Sequence, residues 1–254
     1  MNSSKYILLV EYDGTHYHGF QWQAGLPTIQ DELERAVKKF CGSSSRVMAA
    51  SRTDAGVHAK GQVAGFRANP GLSPTTLVKA LNYYLPWDIA VKAASIADDD
   101  FKVRGDALNR EYHYYILNRN MPSPFSQRFA LFVPNMLNIE AMNEACQLIQ
   151  GEHDFISFTS SSDIKSTTRN VYQAKVEKKE DLVIFRMIAN SFLPHQVRHT
   201  LGLLLRLGLG KIEGREFRDI MESRSLGLAE PVAPPHGLCL MKVNYAKSLK
   251  VLVN

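Results

Sequence analysis

The sequence predicts an α+β fold, and three observations carry that prediction. Short strand-like apolar runs recur at residues 6–12, 47–50, 62–66 and 89–91. Helix-start signals stand between them, at Thr28 and at Ser73-Pro74. The N-terminal half therefore reads β-α-β-β-α-β, a ferredoxin-like order. No internal sequence repeat is evident.

With 254 residues the chain is long enough for one large domain or two small ones. A net charge of +5 fits an anionic partner, although it also fits a mildly basic protein of any other function. No run of 18 apolar residues occurs, and residues 1–5 lead straight into a strand-like run. Neither a membrane span nor a secretory leader is expected. Cys41, Cys146 and Cys239 are odd in number, far apart and form no CxxC pair. They read as reduced, buried thiols.

Taken in order, residues 6–12 end at the turn Asp13-Gly14-Thr15. A strand followed by Asp-x-Asp-Gly-Thr opens the haloacid-dehalogenase phosphatases, but Glu11 stands where their nucleophilic Asp would be. The aromatic, His and Gln groups of residues 12–23 suit stacking and hydrogen bonding to unpaired bases. They equally suit an aromatic cluster at a strand edge. Thr28 caps a helix, with Asp31 completing the capping pattern. Ile29, Leu33, Val37 and Phe40 share its apolar face, and Gly42 ends it.

The strand at 47–50 leads into Ala50-Ser51-Arg52-Thr53-Asp54-Ala55-Gly56-Val57-His58-Ala59-Lys60-Gly61-Gln62-Val63. This loop carries one carboxylate, two cations, a titratable His58 and two glycines. A carboxylate held between two strands is a plausible catalytic device, because rigid flanks position the tip. Spacing alone favours a simple turn, since Asp and Gly are common turn residues. Ser73-Pro74 then starts a second helix through Leu77, Ala80 and Leu81, and a strand follows near Val91.

In the C-terminal half, alternation puts Tyr112, Tyr114 and Ile116 on one face of a strand, and such spacing by itself favours a core face. Residues 118–134, with Pro122, Pro124 and Pro134, are a connection. Ile139, Met142, Cys146 and Ile149 define an amphipathic helix stopped by Gly151, and residues 157–168 are a polar loop. Residues 171–178 and 182–189 form a hairpin around Glu180-Asp181. Its Lys175, Lys178 and Lys179 suit phosphate contact or simple protection of an edge strand. The last strongly apolar helix runs through Leu201, Leu204 and Leu205, with Pro194 in its first turn. His195 and His199 stand at metal-ligand spacing, but the intervening Glu of the protease motif and a third ligand are missing, so no metal is expected.

Arg52-Thr53-Asp54-Ala55-Gly56-Val57-His58-Ala59 resembles the signature of the TruA family of tRNA pseudouridine synthases. Further stretches are similar to that family in order. They are Tyr12-Asp13-Gly14-Thr15-His16-Tyr17-His18-Gly19-Phe20-Gln21-Trp22-Gln23, the segment around Ala80-Leu81-Asn82, and Arg110-Glu111-Tyr112. Beyond these come Gly151-Glu152-His153-Asp154-Phe155, Phe192-Leu193-Pro194-His195-Gln196-Val197-Arg198, and the closing run from Pro234 to Tyr245. Two departures stand out. Gly105-Asp106 replaces a bulkier residue followed by a small one, and Gln196 stands where Met is common.

The resemblance implies a pseudouridine synthase fold: two ferredoxin-like, RRM-like subdomains, 1–105 and 106–254, sharing a mixed, mostly antiparallel sheet with a central cleft. It implies isomerisation of uridine to pseudouridine at positions 38, 39 and 40 of the tRNA anticodon stem-loop. Asp54 matches the essential catalytic residue, Arg198 the cation that pairs with it, and Tyr112 the ring that stacks on the target base. Tyr112, Arg52, His58, Gln62 and Leu240 are the expected substrate contacts. No cofactor and no metal are implied. A homodimer acting in the cytoplasm on tRNA, with no membrane partner, completes the expectation. The alternatives are the same chemistry on another RNA, or a non-catalytic RNA-binding module on this fold.

Overall fold

The structure is a computed structural model and describes residues 3–246. Its elements begin with β1 (Ser4–Tyr12), α1 (Ile29–Cys41), β2 (Met48–Ala49), β3 (His58–Ala68), α2 (Pro74–Tyr84) and β4 (Ile89–Ala97). There follow β5 (Ala107–Leu117), β6 (Leu131–Phe132), α3 (Ile139–Leu148), β7 (Gly151–Asp154), β8 (Thr168–Lys179) and β9 (Leu182–Ala189). The last three are α4 (Gln196–Gly208), α5 (Gly214–Glu222) and β10 (Leu238–Tyr245). This is an α+β protein whose sheet is mixed: most neighbours are antiparallel, while β3 with β10 and β5 with β6 are parallel.

The chain forms two compact units. One runs to Arg110 and takes in β10 from Cys239; the other is Glu111–Leu238. The sequence reading places residues 106–254 together, whereas β10 belongs with the first unit because it pairs with β3 at His58 and Ala59.

In the first unit the strand order is β4-β1-β3, the ferredoxin-like sequence, and the far edge of β3 is divided between two partners. β2 pairs antiparallel with its distal part, at Ala64 and Gly65, and β10 pairs parallel with its start. Helix α1 begins and ends where local chemistry requires. The Asp31 N–H donates to Thr28 Oγ1, and Gly42 takes the left-handed conformation at φ 71° that a side chain disfavours. Ile29, Leu33 and Val37 are fully buried, as are Leu77 and Leu81 of α2. Burying each such side chain contributes about 1.5–3 kcal/mol. Asn82 fastens the end of α2 to β4, donating to the Val91 carbonyl at 2.9 Å and accepting its N–H at 2.8 Å.

In the second unit the order is β5-β9-β8-β7, with β6 beside β5. The hairpin of β8 and β9 turns at Glu180, which adopts φ 54°. Tyr112, Tyr114 and Ile116 alternate inward on β5 as their spacing predicts. Phe158 meets Phe155 edge-on and Phe217 at a tilt in a buried core, with ring centroids 5.6 and 6.4 Å apart. Helix α4 begins at Gln196, later than expected. Pro194 lies in the turn before it, because His195 takes a left-handed conformation at φ 60° and interrupts the helical path. Cys146 and Cys239 are buried free thiols, but Cys41, at the end of α1, is only half-buried.

Candidate active site

The first unit holds the Asp54 loop, and the way it is held is built residue by residue. At its entry the Ala50 N–H donates to the Val63 carbonyl at 2.8 Å, extending the β2–β3 pairing by one step. The buried guanidinium of Arg110 donates through Nη2 to the Ala50 carbonyl at 3.0 Å and to the Arg104 carbonyl at 2.9 Å. Gln62 is fully buried on β3. Its Nε2 donates to the Ser51 carbonyl at 2.7 Å, and its Oε1 accepts the Ser51 N–H at 3.4 Å.

Thr53 is fixed twice. Its Oγ1 shares a 2.7 Å hydrogen bond with the Tyr12 hydroxyl, and its carbonyl accepts the Phe20 N–H at 3.1 Å. Tyr12 reaches it because the β1–β3 register shifts between Val10 and Tyr12, a bulge that re-aims the end of the strand. Beyond Asp54 the Val57 N–H closes a turn on the Asp54 carbonyl at 3.2 Å, and the Gly56 N–H donates to the Tyr17 carbonyl at 3.2 Å.

The opening motif, residues 12–23, forms the back of this loop. Gly14 and Gly19 let its backbone come close. A Cβ on Gly14 would stand 2.0 Å from the Val57 carbonyl oxygen, and one on Gly19 would stand 2.6 Å from that of Thr53. Gly19 also adopts φ 88°, open to glycine at no steric cost. The carbonyls of Gly19 and Phe20 in turn accept the Ile29 and Gln30 N–H groups, donors at the start of α1 that lack helical partners. A chain of backbone contacts thus runs from α1 through residues 19–20 to Thr53.

Several expected base-contacting aromatics are part of this support. Tyr12, Tyr17 and Phe20 are buried, whereas His16, His18 and Trp22 are exposed. Tyr17 donates its hydroxyl to Asp88 Oδ1 at 2.7 Å, and burial followed by that carboxylate holds the phenol above its ordinary range. His58 is buried with Nδ1 3.0 Å from the Gly14 nitrogen and 3.2 Å from Asp13 Oδ1, so it ties β3 to the opening turn. Arg52 is exposed and Asp54 half-buried. Leu240, on β10, is fully buried opposite Ala59. The first unit therefore brings Arg52, Asp54, His58, Gln62 and Leu240 into one neighbourhood of loop and strand ends.

Tyr112 and Arg198 belong to the second unit. Tyr112 is buried and its ring meets that of Phe192 edge-on, with centroids 5.3 Å apart. Arg198 lies in the first turn of α4, directly after the strained His195. Its Nε donates to the Ala233 carbonyl at 2.8 Å, and its carbonyl accepts the Ala233 N–H at 3.1 Å. Tyr114, fully buried nearby, donates to the Pro234 carbonyl at 2.7 Å, and burial keeps its phenol above the ordinary range. Gly237 passes so close to the Tyr114 ring that a Cβ would lie 2.4 Å from Cε1. Gln196 holds the preceding turn, its Oε1 accepting the Leu193 N–H at 2.8 Å.

Chemically, the first unit offers a carboxylate on a braced loop, and the second offers a guanidinium and a phenol on rigid elements. Among the described residues no group of three His, Cys, Asp or Glu side chains is placed to hold a metal ion. No helix among them is long and apolar enough to cross a membrane.

The family model described as tRNA pseudouridine synthase matches residues 8–105 and 145–246. A protein of Thermoanaerobacter sp. (strain X514) named tRNA pseudouridine synthase A is 42% identical over 240 residues, covering 94% of this chain and 98% of that protein. Proteins of the same name from Acetivibrio thermocellus and Exiguobacterium sp. are 40% and 39% identical, each over 94% of this chain and over 98% and 97% of their own lengths. With a family match that contains the Asp54 loop and relatives aligned almost end to end, this chain belongs to the tRNA pseudouridine synthase family.

Proposed function

We propose that this protein isomerises uridine to pseudouridine in tRNA, at positions 38, 39 and 40 of the anticodon stem-loop. The observation that carries the reading is the Asp54 loop: a half-buried carboxylate in the family's signature, braced on both flanks and from behind. The reaction breaks the C1′–N1 bond, turns the uracil, and joins C1′ to C5, while the C5 proton is lost and N1 gains one. Oxidation state does not change and no group leaves, so the chemistry calls for no cofactor.

Each residue then has a role. Breaking a glycosidic bond develops positive charge on the ribose, which a neighbouring carboxylate stabilises or captures. Asp54 is assigned that work. Arg198 is assigned to keep Asp54 ionised and aimed. Tyr112 stacks on the extruded base, and its hydroxyl is suited to move the C5 proton. Exposed Arg52 holds the RNA backbone, and Leu240 supplies apolar surface. His58 and Gln62 act through the loop they support. The family resemblance further implies a homodimer working in the cytoplasm.

Asp54→Asn tests the assignment. The variant should bind a tRNA transcript within about tenfold of the wild type, because phosphate contacts dominate such affinity. It should form no pseudouridine by modification-specific chemistry. Appreciable turnover by the variant would remove Asp54 from the mechanism. Mapping pseudouridines in tRNA from cells lacking the protein distinguishes positions 38–40 from another RNA target.

A further inference from the structure

A groove of about 570 Å³ opens in the first unit, apart from the Asp54 loop. Five cationic side chains line it: Lys5, Arg46, Arg67, Lys102 and Arg104. No carboxylate does. Its remaining walls include Met48, Phe101 and Val103, so an apolar floor lies under a cationic rim.

The cations fall into two sets. Lys5 and Arg67 are fixed by the protein. The Lys5 ammonium donates to the Asp99 and Phe101 carbonyls at 2.5 and 2.8 Å, and Arg67 pairs with Asp99 Oδ1 at 2.9 Å. Arg46, Lys102 and Arg104 are exposed, with no carboxylate within ion-pair distance among the described residues. Three unneutralised cations around one apolar floor call for an anion that also carries a flat apolar surface. A nucleotide has both. Phosphate satisfies the rim, and a base face covers the half-buried Phe101 ring.

Gly65, Phe66 and Arg67 of β3 line the groove. Gln62, which holds Ser51, lies three residues before Gly65 and five before Arg67, on the order of 10–17 Å at strand rise. One RNA molecule spans that distance. We propose that this groove binds a nucleotide of the RNA substrate outside the one that reacts, with phosphate on Arg46, Lys102 and Arg104 and the base over Phe101. The proposal rests on the reading of the protein as acting on tRNA, and it adds a second anchoring point to that site.

Two paired substitutions test it in the full-length protein with an unmodified tRNA transcript. Arg46→Gln with Lys102→Gln removes the charges, and Arg46→Glu with Lys102→Glu reverses them. The reversed pair should weaken tRNA binding at least about tenfold. The neutral pair should reduce the slope of log Kd against log salt by about 1.4–1.8, for two phosphate contacts at roughly 0.7–0.9 each. Melting temperature and the single-turnover rate at saturating tRNA should stay at wild-type values. Binding by the neutral pair within about twofold of wild type, with an unchanged salt slope, would overturn the proposal. So would a saturated rate that falls in step with the melting temperature, which marks a structural role. If the wild-type protein binds tRNA yet forms no pseudouridine, the functional reading fails, and the binding series still decides the groove.

Discussion

Gly14 lies directly against Val57, so close that a Cβ on Gly14 would stand 2.0 Å from the Val57 carbonyl oxygen. The neighbouring atom is backbone, so neither side can yield by turning a side chain. Gly14→Ala should therefore push the opening turn off the Asp54 loop. The expected result is a loss of at least about tenfold in turnover, with a stability loss of about 1–3 kcal/mol. Gly25→Ala provides the comparison, because no atom lies within 4 Å of its Cβ and only its φ of 74° is strained. Single-turnover rates and chemical denaturation of both variants check the difference. Equal activity in the two would mean that the close approach does not position the loop.

Tyr112 separates stacking from proton transfer. Tyr112→Phe keeps the ring and its edge-on contact with Phe192, so tRNA binding should change little. Loss of the hydroxyl should slow single-turnover pseudouridine formation at least about tenfold, the low side of the range for general acid–base groups. Tyr112→Ala should lose binding as well, by about 1–3 kcal/mol for a lost stacking contact. Wild-type rate and binding in the Ala variant would reduce Tyr112 to a core residue.

Arg198→Met should lower the single-turnover rate by about 10²–10³-fold, the usual effect of removing one group that stabilises charge in a reacting site. The variant also loses the Nε bond to the Ala233 carbonyl, so Arg198→Lys is measured alongside it. Charge alone is restored by Lys, whereas the planar fork is not. Near-normal turnover in the Met variant at neutral pH would leave Arg198 with a structural task only.

The thiols give a prediction about pH. Burial pushes Cys146 up to about 12 and Cys239 up to about 11, and it raises half-buried Cys41 as well. A thiol raised in the folded state stays protonated there while the unfolded chain ionises near 9, so the unfolded state binds fewer protons. Stability is then fully present below pH 9 and declines as pH rises through 9 towards 11–12. In the native protein near pH 8, a thiol reagent should modify Cys41 first, with Cys146 and Cys239 reacting only on denaturation. Replacing both buried cysteines by Ala should flatten the decline between pH 9 and 10, below the range where the raised Tyr17 and Tyr114 phenols contribute. A decline unchanged by that replacement would assign it to other groups.

What the sequence discloses depends on how local the cause is. Helix α1 is legible at both ends because the Thr28 cap and the Gly42 terminator act within one turn. The β8–β9 hairpin and the inward Tyr112, Tyr114 and Ile116 are legible because strand alternation reports burial directly. Helix α5 goes beyond the sequence expectation. It has no side-chain cap, and only Phe217, Ile220 and Met221 mark its buried face. The late start of α4 was equally hidden, since a left-handed His195 leaves no mark in composition.

For the site, the Asp54 signature is explicit in the sequence, but its bracing is not. The burial of Tyr12, Tyr17 and Phe20 depends on the opening segment folding back between α1 and the loop. An aromatic-rich, His-rich segment reads the same whether its rings face RNA or a loop. The informative residues were Gly14 and Gly19. Their absent side chains are what the close contact requires, although the sequence does not name the partner.

The shared edge of β3 has a consequence for how the protein is made. Its start, beside the Asp54 loop, is closed by β10, the last strand in chain order among the described residues. Until then the nascent first unit carries an open strand edge at His58 and Ala59, while the whole of residues 111–238 is still being synthesised. The Asp54 loop gains this neighbour only after β10 has been synthesised. A nascent chain that has not yet reached β10 thus carries the signature motif without the strand that closes its edge.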